Sequence, residues 1–164
     1  MSANTPKILT SGIVEVQFGA NVRVVQPVNL YGCTIGDDCF AGPFVEIQRK
    51  VTIGKRTRIQ SHAFVCELVE IGDDCFISHG AMFVNDLVRS GEPAYAQPER
   101  WKTTQLGNRV FIGTNATVLP VTICDDVVVG AASVVTKDIT KPGIYAGNPA
   151  RYLRPVDKSD SPKQ

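Results

Sequence analysis

Stepping along the chain six residues at a time from Ile35 meets an apolar side chain at every stop: Ile35, Ala41, Ile47, Ile53, Ile59, Val65, Ile71, Ile77 and Phe83. The beat resumes at Leu106, Ile112 and Val118, shortens once to five residues at Ile123, and continues through Val129 and Val135. Upstream, Val16, Val22 and Val28 keep the same period, and a seven-residue step joins them to Ile35. Four residues after the anchors the side chain is small or β-branched: Cys39, Val45, Val51, Thr57, Ala63, Val69, Cys75, Ala81, Ala116, Thr122, Val127 and Ser133. The residue straight after an anchor is often glycine (Gly36, Gly42, Gly54, Gly72, Gly113, Gly130). That placement reads as a tight corner needing unusual dihedrals.

A period of six suits neither a helix at 3.6 nor a simple alternating strand. It suits a short strand plus a corner, with one large and one small side chain pointing inward on each side. Three such sides make a triangular coil of about 18 residues, a solenoid whose every turn stacks on the last. The block Ile35-Gly-Asp-Asp-Cys-Phe40 recurs as Ile71-Gly-Asp-Asp-Cys-Phe76, two whole coils on. The pattern therefore predicts an all-β, parallel β-helix with neighbouring coils ~4.8 Å apart. Cys39 and Cys75 then lie ~10 Å apart, beyond disulfide reach.

Two interruptions stand out. Residues 84–105 break the beat, and a loop of that length inside a compact domain is usually functional. It carries Asn85, Asp86, Arg89, Glu92, Tyr95, Arg100, Trp101 and Lys102. Asn85 sits two residues after anchor Phe83; one coil earlier that outward position is Glu67, and one coil earlier again Arg49. In-register parallel strands stack such positions, predicting a polar column Arg49–Glu67–Asn85 that ends at the loop. The second interruption follows Val135. The expected organisation is a β-helix domain over 1–155, with 84–105 protruding and 136–155 capping the end, then a flexible tail over 156–164.

Composition narrows the chemistry. The 17 Lys+Arg balance 16 Asp+Glu, which leaves no basic footprint for nucleic acid and no polybasic membrane patch. No run of 18 apolar residues exists, and Met1–Lys7 lacks an apolar signal core, so a cytoplasmic protein without membrane insertion is expected. The five cysteines are odd in number and contain no CxxC, which argues against a disulfide framework or a zinc knuckle. Only two histidines, His62 and His79, are present, too few for a three-histidine zinc centre. No metal is expected.

The [Ile/Val/Leu]-Gly-x-x-small-x pattern, covering roughly Val16 to Leu153, resembles the hexapeptide-repeat acyltransferase superfamily. The resemblance implies a left-handed coil, a homotrimer with active sites between subunits, and acetyl-coenzyme A as co-substrate. Asn29-Leu-Tyr-Gly-Cys33, Gly42-Pro-Phe-Val-Glu46, Gln60-Ser-His-Ala-Phe64, His79-Gly-Ala-Met-Phe-Val-Asn-Asp86 and Asn115-Ala-Thr-Val-Leu-Pro120 are similar to N-acetyltransferases of nucleotide-linked (UDP or dTDP) 3-amino sugars. Enzymes acting on UDP-2-acetamido-3-amino-2,3-dideoxyglucuronate are of this kind, and they serve bacterial surface polysaccharide and lipopolysaccharide biosynthesis. Gly147-Asn-Pro-Ala150 resembles the superfamily's C-terminal signature beside the adenine end of coenzyme A. Gly130-Ala-Ala-Ser133 departs from the usual Gly-Ala-Gly-Ser by one methyl. These likenesses imply Asn85 and His79 as catalytic residues, and Arg49, Glu67, His62, Asp86 and Arg89 around the acceptor. They also imply Gly113, Ala131, Ala132, Lys137, Lys141 and Arg151 along the coenzyme. Val84, Val110, Phe111 and Val128, apolar outside the inward register, are candidates for the threefold interface.

The acceptor atom decides what catalysis needs. A sugar hydroxyl requires a positioned base, usually histidine. A sugar amine, with a pKa of ~8, is partly neutral at physiological pH and needs mainly orientation. Asn85 cannot act as a base, but its carbonyl oxygen can accept a hydrogen bond from the amine and aim the lone pair. The leading expectation is N-acetylation; O-acetylation of a small hydroxyl acceptor and a noncatalytic β-helix subunit are the alternatives.

Overall fold

The computed structural model describes residues 7–8, 10–95, 97–157 and 159. The chain winds as a left-handed parallel β-helix of triangular section, made of short strands, with no α-helix among the described residues. Each turn places one strand on each of three faces. The first face stacks seven strands from Ile13–Val14 to Val134–Val135, and the second six from Gln17–Phe18 to Thr122–Ile123. The third stacks eight; it begins at Arg23–Val24 and ends in the hairpin Gly143–Ala146 and Arg151–Arg154. Pairing is parallel and in register, as in Ile35↔Ile53, Ile59↔Ile77 and Phe83↔Val118. Among the described residues only the closing hairpin is antiparallel.

The inward register explains the core. Ile47, Ile59, Ile77, Ile112, Ile123 and Phe83 are fully buried, each such burial stabilising by about 1.5–3 kcal/mol. The second inward row, including Cys39, Val45, Val51, Thr57, Ala63, Val69 and Cys75, is buried as well.

Three register details differ from expectation. At the N-terminus Phe18, Val24 and Leu30 pair with Ile35, Ala41 and Ile47. Val16, Val22 and Val28 therefore belong to the second inward row, and the step into Ile35 is five residues from Leu30, not seven. Near the other end Val121 is buried and Thr122 exposed, because the five-residue step moves the smaller inward place back by one. Val110 is likewise core, 1% exposed, and so unavailable to a subunit interface.

The glycines serve a different purpose from the one expected. Gly54 and Gly72 have no left-handed backbone. A Cβ on Gly54 would lie 2.5 Å from the Gly72 carbonyl carbon, and one on Gly72 would lie 2.5 Å from the Gly107 oxygen. They let successive coils approach closely. The positive φ angles fall two residues later, on Arg56 and Asp74.

Candidate active site

Each corner of the prism stacks its own set of side chains. The corner between the first and second faces carries the loop and is called the loop corner. Here the column forms: Arg49 Nε lies 3.8 Å from Glu67 Oε1, and Asn85 Nδ2 donates to the Glu67 carbonyl at 3.2 Å. That bond leaves Asn85 Oδ1 as the acceptor end. Gln48 Oε1 accepts from the Glu67 amide at 3.3 Å while its Nε2 donates to Glu46 Oε1 at 2.9 Å. The Arg49 guanidinium lies 5.5 Å from the Tyr31 ring centroid. Burial, then the neighbouring Glu46 carboxylate, pushes the Tyr31 hydroxyl pKa up. The Glu67 side chain is 12% exposed and that of Arg49 61%. Below the column opens a cavity of about 560 Å³ lined by Thr10, Ser11, Val14, Asn29, Tyr31 and Arg49, within the size range of small-ligand sites.

Beyond Asn85 the chain leaves the prism and rejoins it at Thr104, where Thr104–Leu106 pairs with Val69–Ile71. The excursion is folded on itself. Asp86 accepts from the amides of Val88 at 2.9 Å and Ala94 at 2.7 Å, and these two donors hold its carboxyl below the usual carboxylate range. Arg100 binds Ser90 Oγ at 2.6 Å and the carbonyls of Glu92 and Pro93 at 3.0 and 3.2 Å. The Lys102 amide donates to the Asn85 carbonyl at 2.9 Å and closes the neck. Asp86, expected at the acceptor, is thus engaged in fixing the loop. Arg89 lies on the loop, lining a cleft of about 230 Å³ with Leu87, Arg100 and Lys102.

The corner between the third and first faces carries both histidines. Ser61 Oγ lies 2.8 Å from His79 Nδ1. His62 stacks on Phe44 with ring centroids 4.8 Å apart, which packs its ring along this corner. Higher on the same corner come Gly113, then Ala131 and Ala132, the latter two exposed. Ala132 donates to the Thr114 carbonyl at 2.8 Å, and Asn115 to that of His79 at 3.0 Å. The edge above His79 is therefore low in side-chain bulk and rich in backbone. Gly147-Asn-Pro-Ala150 closes it: the Val134 amide donates to the Gly147 carbonyl, the Ala150 amide to that of Val134, and the Gly147 amide to Ser133 Oγ.

The three expected coenzyme cations are dispersed. Arg151 pairs with Ala146 in the closing hairpin, over the histidine corner. Lys141 stands at the opposite end of that hairpin, its ammonium 4.3 Å from the Tyr152 ring centroid. Lys137 follows Val135 onto the loop corner. Of the three, only Arg151 stands at the end of the hairpin that lies over that corner.

His79 and Asn85 lie at opposite edges of the first face. At ~3.3 Å per extended residue their separation is roughly 15–20 Å, whereas a catalytic hydrogen bond spans ~3 Å. One chain does not bring the histidine and loop corners together. The third corner, between the second and third faces, is a ladder of charges in which Arg56 meets Asp74 at 2.7 Å and Arg109 meets Asp126 at 2.9 Å. Among the described residues no group of three His, Cys, Asp or Glu side chains is placed to hold a metal ion, and the cysteines are free thiols. No helix among them is long and apolar enough to cross a membrane.

Sequence reasoning missed Tyr31, Gln48 and Ser61. Ser61 is 18 residues before His79, so the coil period applied to His79 would have found it, whereas the register under Arg49 is one residue shorter (Leu30↔Ile47) and stacks Gly32, not Tyr31, beneath Arg49.

Both halves of the chain match descriptions of hexapeptide-repeat families: "Bacterial transferase hexapeptide (six repeats)" over residues 32–67 and "Hexapeptide repeat of succinyl-transferase" over 104–137. The bifunctional protein GlmU of Sphingopyxis alaskensis is 29% identical over 146 residues, 82% of this chain and 31% of that protein. The chain thus spans about a third of the length of that relative. The fold is shared with AntD, an N-acyltransferase from Bacillus cereus solved as a variant with dTDP and coenzyme A. Identity there is 24% and the TM-score 0.76, covering 87% of this chain and 84% of that one. It is shared too with the hexapeptide-repeat acetyltransferase VCA0836 of Vibrio cholerae O1 biovar eltor, solved with acetyl-coenzyme A. That pair is 25% identical with a TM-score of 0.65, over 77% and 72% of the two chains.

Proposed function

We propose that this hexapeptide-repeat chain is an acetyl-coenzyme A-dependent N-acetyltransferase acting on the amino group of a nucleotide-linked 3-amino sugar, in bacterial surface polysaccharide biosynthesis. The observation that carries the reading is the division of the prism into two half-sites. One is an edge low in side-chain bulk over His79. The other is a polar column under Asn85, capped by a pre-folded loop. A pantetheine arm needs a bare edge with backbone donors and acceptors, which Gly113, Ala131 and Ala132 supply, and Arg151 stands where an anionic end would need a cation. The column supplies fixed acceptors to an incoming amine. AntD, with its dTDP and coenzyme A, supports the same assignment by likeness of fold.

The half-sites lie a full face apart, so the reaction requires the histidine corner of one subunit against the loop corner of the next. A closed ring of three copies, each interface the same, satisfies that requirement at every site. Within it the thioester carbonyl lies near His79 and the amine at Asn85. The C–N bond forms, the C–S bond breaks, and the departing sulfur takes up the surplus proton. The chain's part is orientation and desolvation.

A second reading is O-acetylation, favoured by the Ser61–His79 contact. In the tautomer in which Nδ1–H donates to Ser61 Oγ, Nε2 is the unprotonated nitrogen, as a base for a hydroxyl requires. A thiol-release assay with acetyl-coenzyme A against UDP- and dTDP-linked amino sugars and their hydroxyl counterparts decides between them. Release with the amines alone is expected. Release with hydroxyl acceptors, lost ~10²-fold or more in His79→Ala, would establish the second reading instead.

A further inference from the structure

The two ends of the prism are finished differently. At the C-terminal end the closing hairpin follows the last coil, and Val129, Val135 and Ile139 are buried. At the N-terminal end the strands Ile13–Val14, Gln17–Phe18 and Arg23–Val24 are the last of the three sheets, each paired on one side only among the described residues. The amides of Gln17, Gly19, Arg23 and Val25 donate to the coil above, and strand alternation turns those of Phe18 and Val24 toward the end. The interior is open there. Ile13 and Phe18 are each 42% exposed, whereas Leu30 and Ile35, stacked on them one coil up, are at most 2% exposed. With Val22 and Val24 they line a mouth of about 350 Å³, and Val14 and Val25 stand exposed on the same turn. Solenoids normally end in a capping turn with a polar outer side, and an open sheet edge is a template for pairing.

We propose that this end docks on the same end of a second copy, so that two rings stack end to end about a two-fold axis crossing the prism. The charge pattern suits a like partner. Residues 13–25 carry one acid, Glu15, and one base, Arg23, so two identical ends meet without net repulsion. Such an axis reverses strand direction, setting each open edge against one that runs the opposite way, the commoner form of pairing. A helix or loop laid over the mouth would hide the apolar interior and leave edges unpaired on three sides. Area fixes the unit that docks. Six residues per side at ~3.3 Å make a triangular end of roughly 150 Å². One pair of ends hides roughly 300 Å², below the ~1,000 Å² of a specific contact, whereas three pairs together approach it. The stacking thus rests on the ring of three inferred above, since a single chain lacks the area.

Sedimentation velocity of the intact protein across a wide range of concentration reads the unit directly: six chains are expected, falling to three on dilution. Hydrogen exchange in both regimes should show the Phe18 and Val24 amides at least ~10-fold slower in the six-chain species. Phe18→Lys and Phe18→Glu each set like charges across the two-fold, and each is expected to raise the concentration of half-association ~10²-fold or more; mixed in equal amounts, the two variant rings should stack again. A ring of three at every concentration overturns the stacking and leaves the acetyltransferase reading standing. If the Phe18 and Val24 amides of that ring are slow nonetheless, the chain's own first residues cover the mouth in place of a second copy. A species of one chain at every concentration overturns the ring and the stacking together. Dilution and exchange need no variant, so they decide the matter even where a Phe18 substitution fails to fold.

Discussion

At the scale of single residues, burial and function part company. Burial pushes the thiols of Cys33 and Cys75 up to about 11 and that of Cys66 to about 12. Cys33 and Cys75 fill the second inward row and Cys66 follows anchor Val65 at the loop corner; all three are buried, with little thiolate and no access. An Ellman titration of the native protein at pH 8 is expected to leave Cys33, Cys39, Cys66 and Cys75 unreacted until denaturant is added; rapid loss of all five thiols would contradict the packing. Asn85 is the opposite case. Its side chain makes one hydrogen bond, to the Glu67 carbonyl, so Asn85→Ala costs only about 1 kcal/mol of stability. Its effect on turnover should be far larger, a fall of ~10- to 10²-fold in kcat from lost orientation of the amine. Unchanged turnover with a lowered Tm would mark Asn85 as structural.

At the scale of elements, legibility followed redundancy. The strands from Ile35 to Phe83 could be placed because each anchor is confirmed by another 18 residues away, and Ile47, Ile59 and Ile77 are buried as that spacing requires. The N-terminal turn has no such check. Val16, Val22, Val28 and Phe18, Val24, Leu30 are two apolar rows of identical period, and periodicity alone does not say which is the anchor row; strand pairing assigns it to the second. The polar column was legible for the same reason as the core, since in-register stacking follows from the period. What the sequence did not disclose is what the loop does with its own polar groups. Asp86 reads as a ligand beside Asn85, and in the structure each of its carboxylate oxygens also accepts one loop amide. Asp86→Ala is therefore expected to unfasten the loop without unravelling the prism: the Ala94 amide loses protection in hydrogen exchange, kcat/KM falls ~10-fold or more, and Tm hardly moves. The carboxyl is held below its ordinary value, so the contribution is present above the ordinary carboxyl pKa and disappears as pH falls through the lowered one, in a window below ~3.9. Ala94 protection that is the same in the variant, or that fades already at pH 6, would contradict this role.

At the scale of the whole molecule, the decisive fact is that the edge over His79 and the column under Asn85 are corners of one triangle, with a full face between them. On the proposed reading, a monomer of this shape presents two halves of a site that cannot meet. Partly exposed apolar side chains on the faces, such as Phe111, stacked on Phe76 at 5.3 Å, and Met82, leave surface for the contacts a ring of copies needs. Val84 and Val128, half-buried, remain available to that interface after Val110 is assigned to the core. The arrangement makes a prediction that no single-chain site shares. Asn85→Ala disables the loop corner and Ala131→Trp obstructs the coenzyme edge, so each homo-oligomer is expected to be inactive. Co-expressed in equal amounts, the two chains assemble at random. About a quarter of the interfaces then join an intact histidine corner from the Asn85→Ala chain to an intact loop corner from the Ala131→Trp chain, and activity returns in that proportion. If both corners served one and the same chain, every site in the mixture would still carry a defect, and the mixed preparation would stay as inactive as its parents.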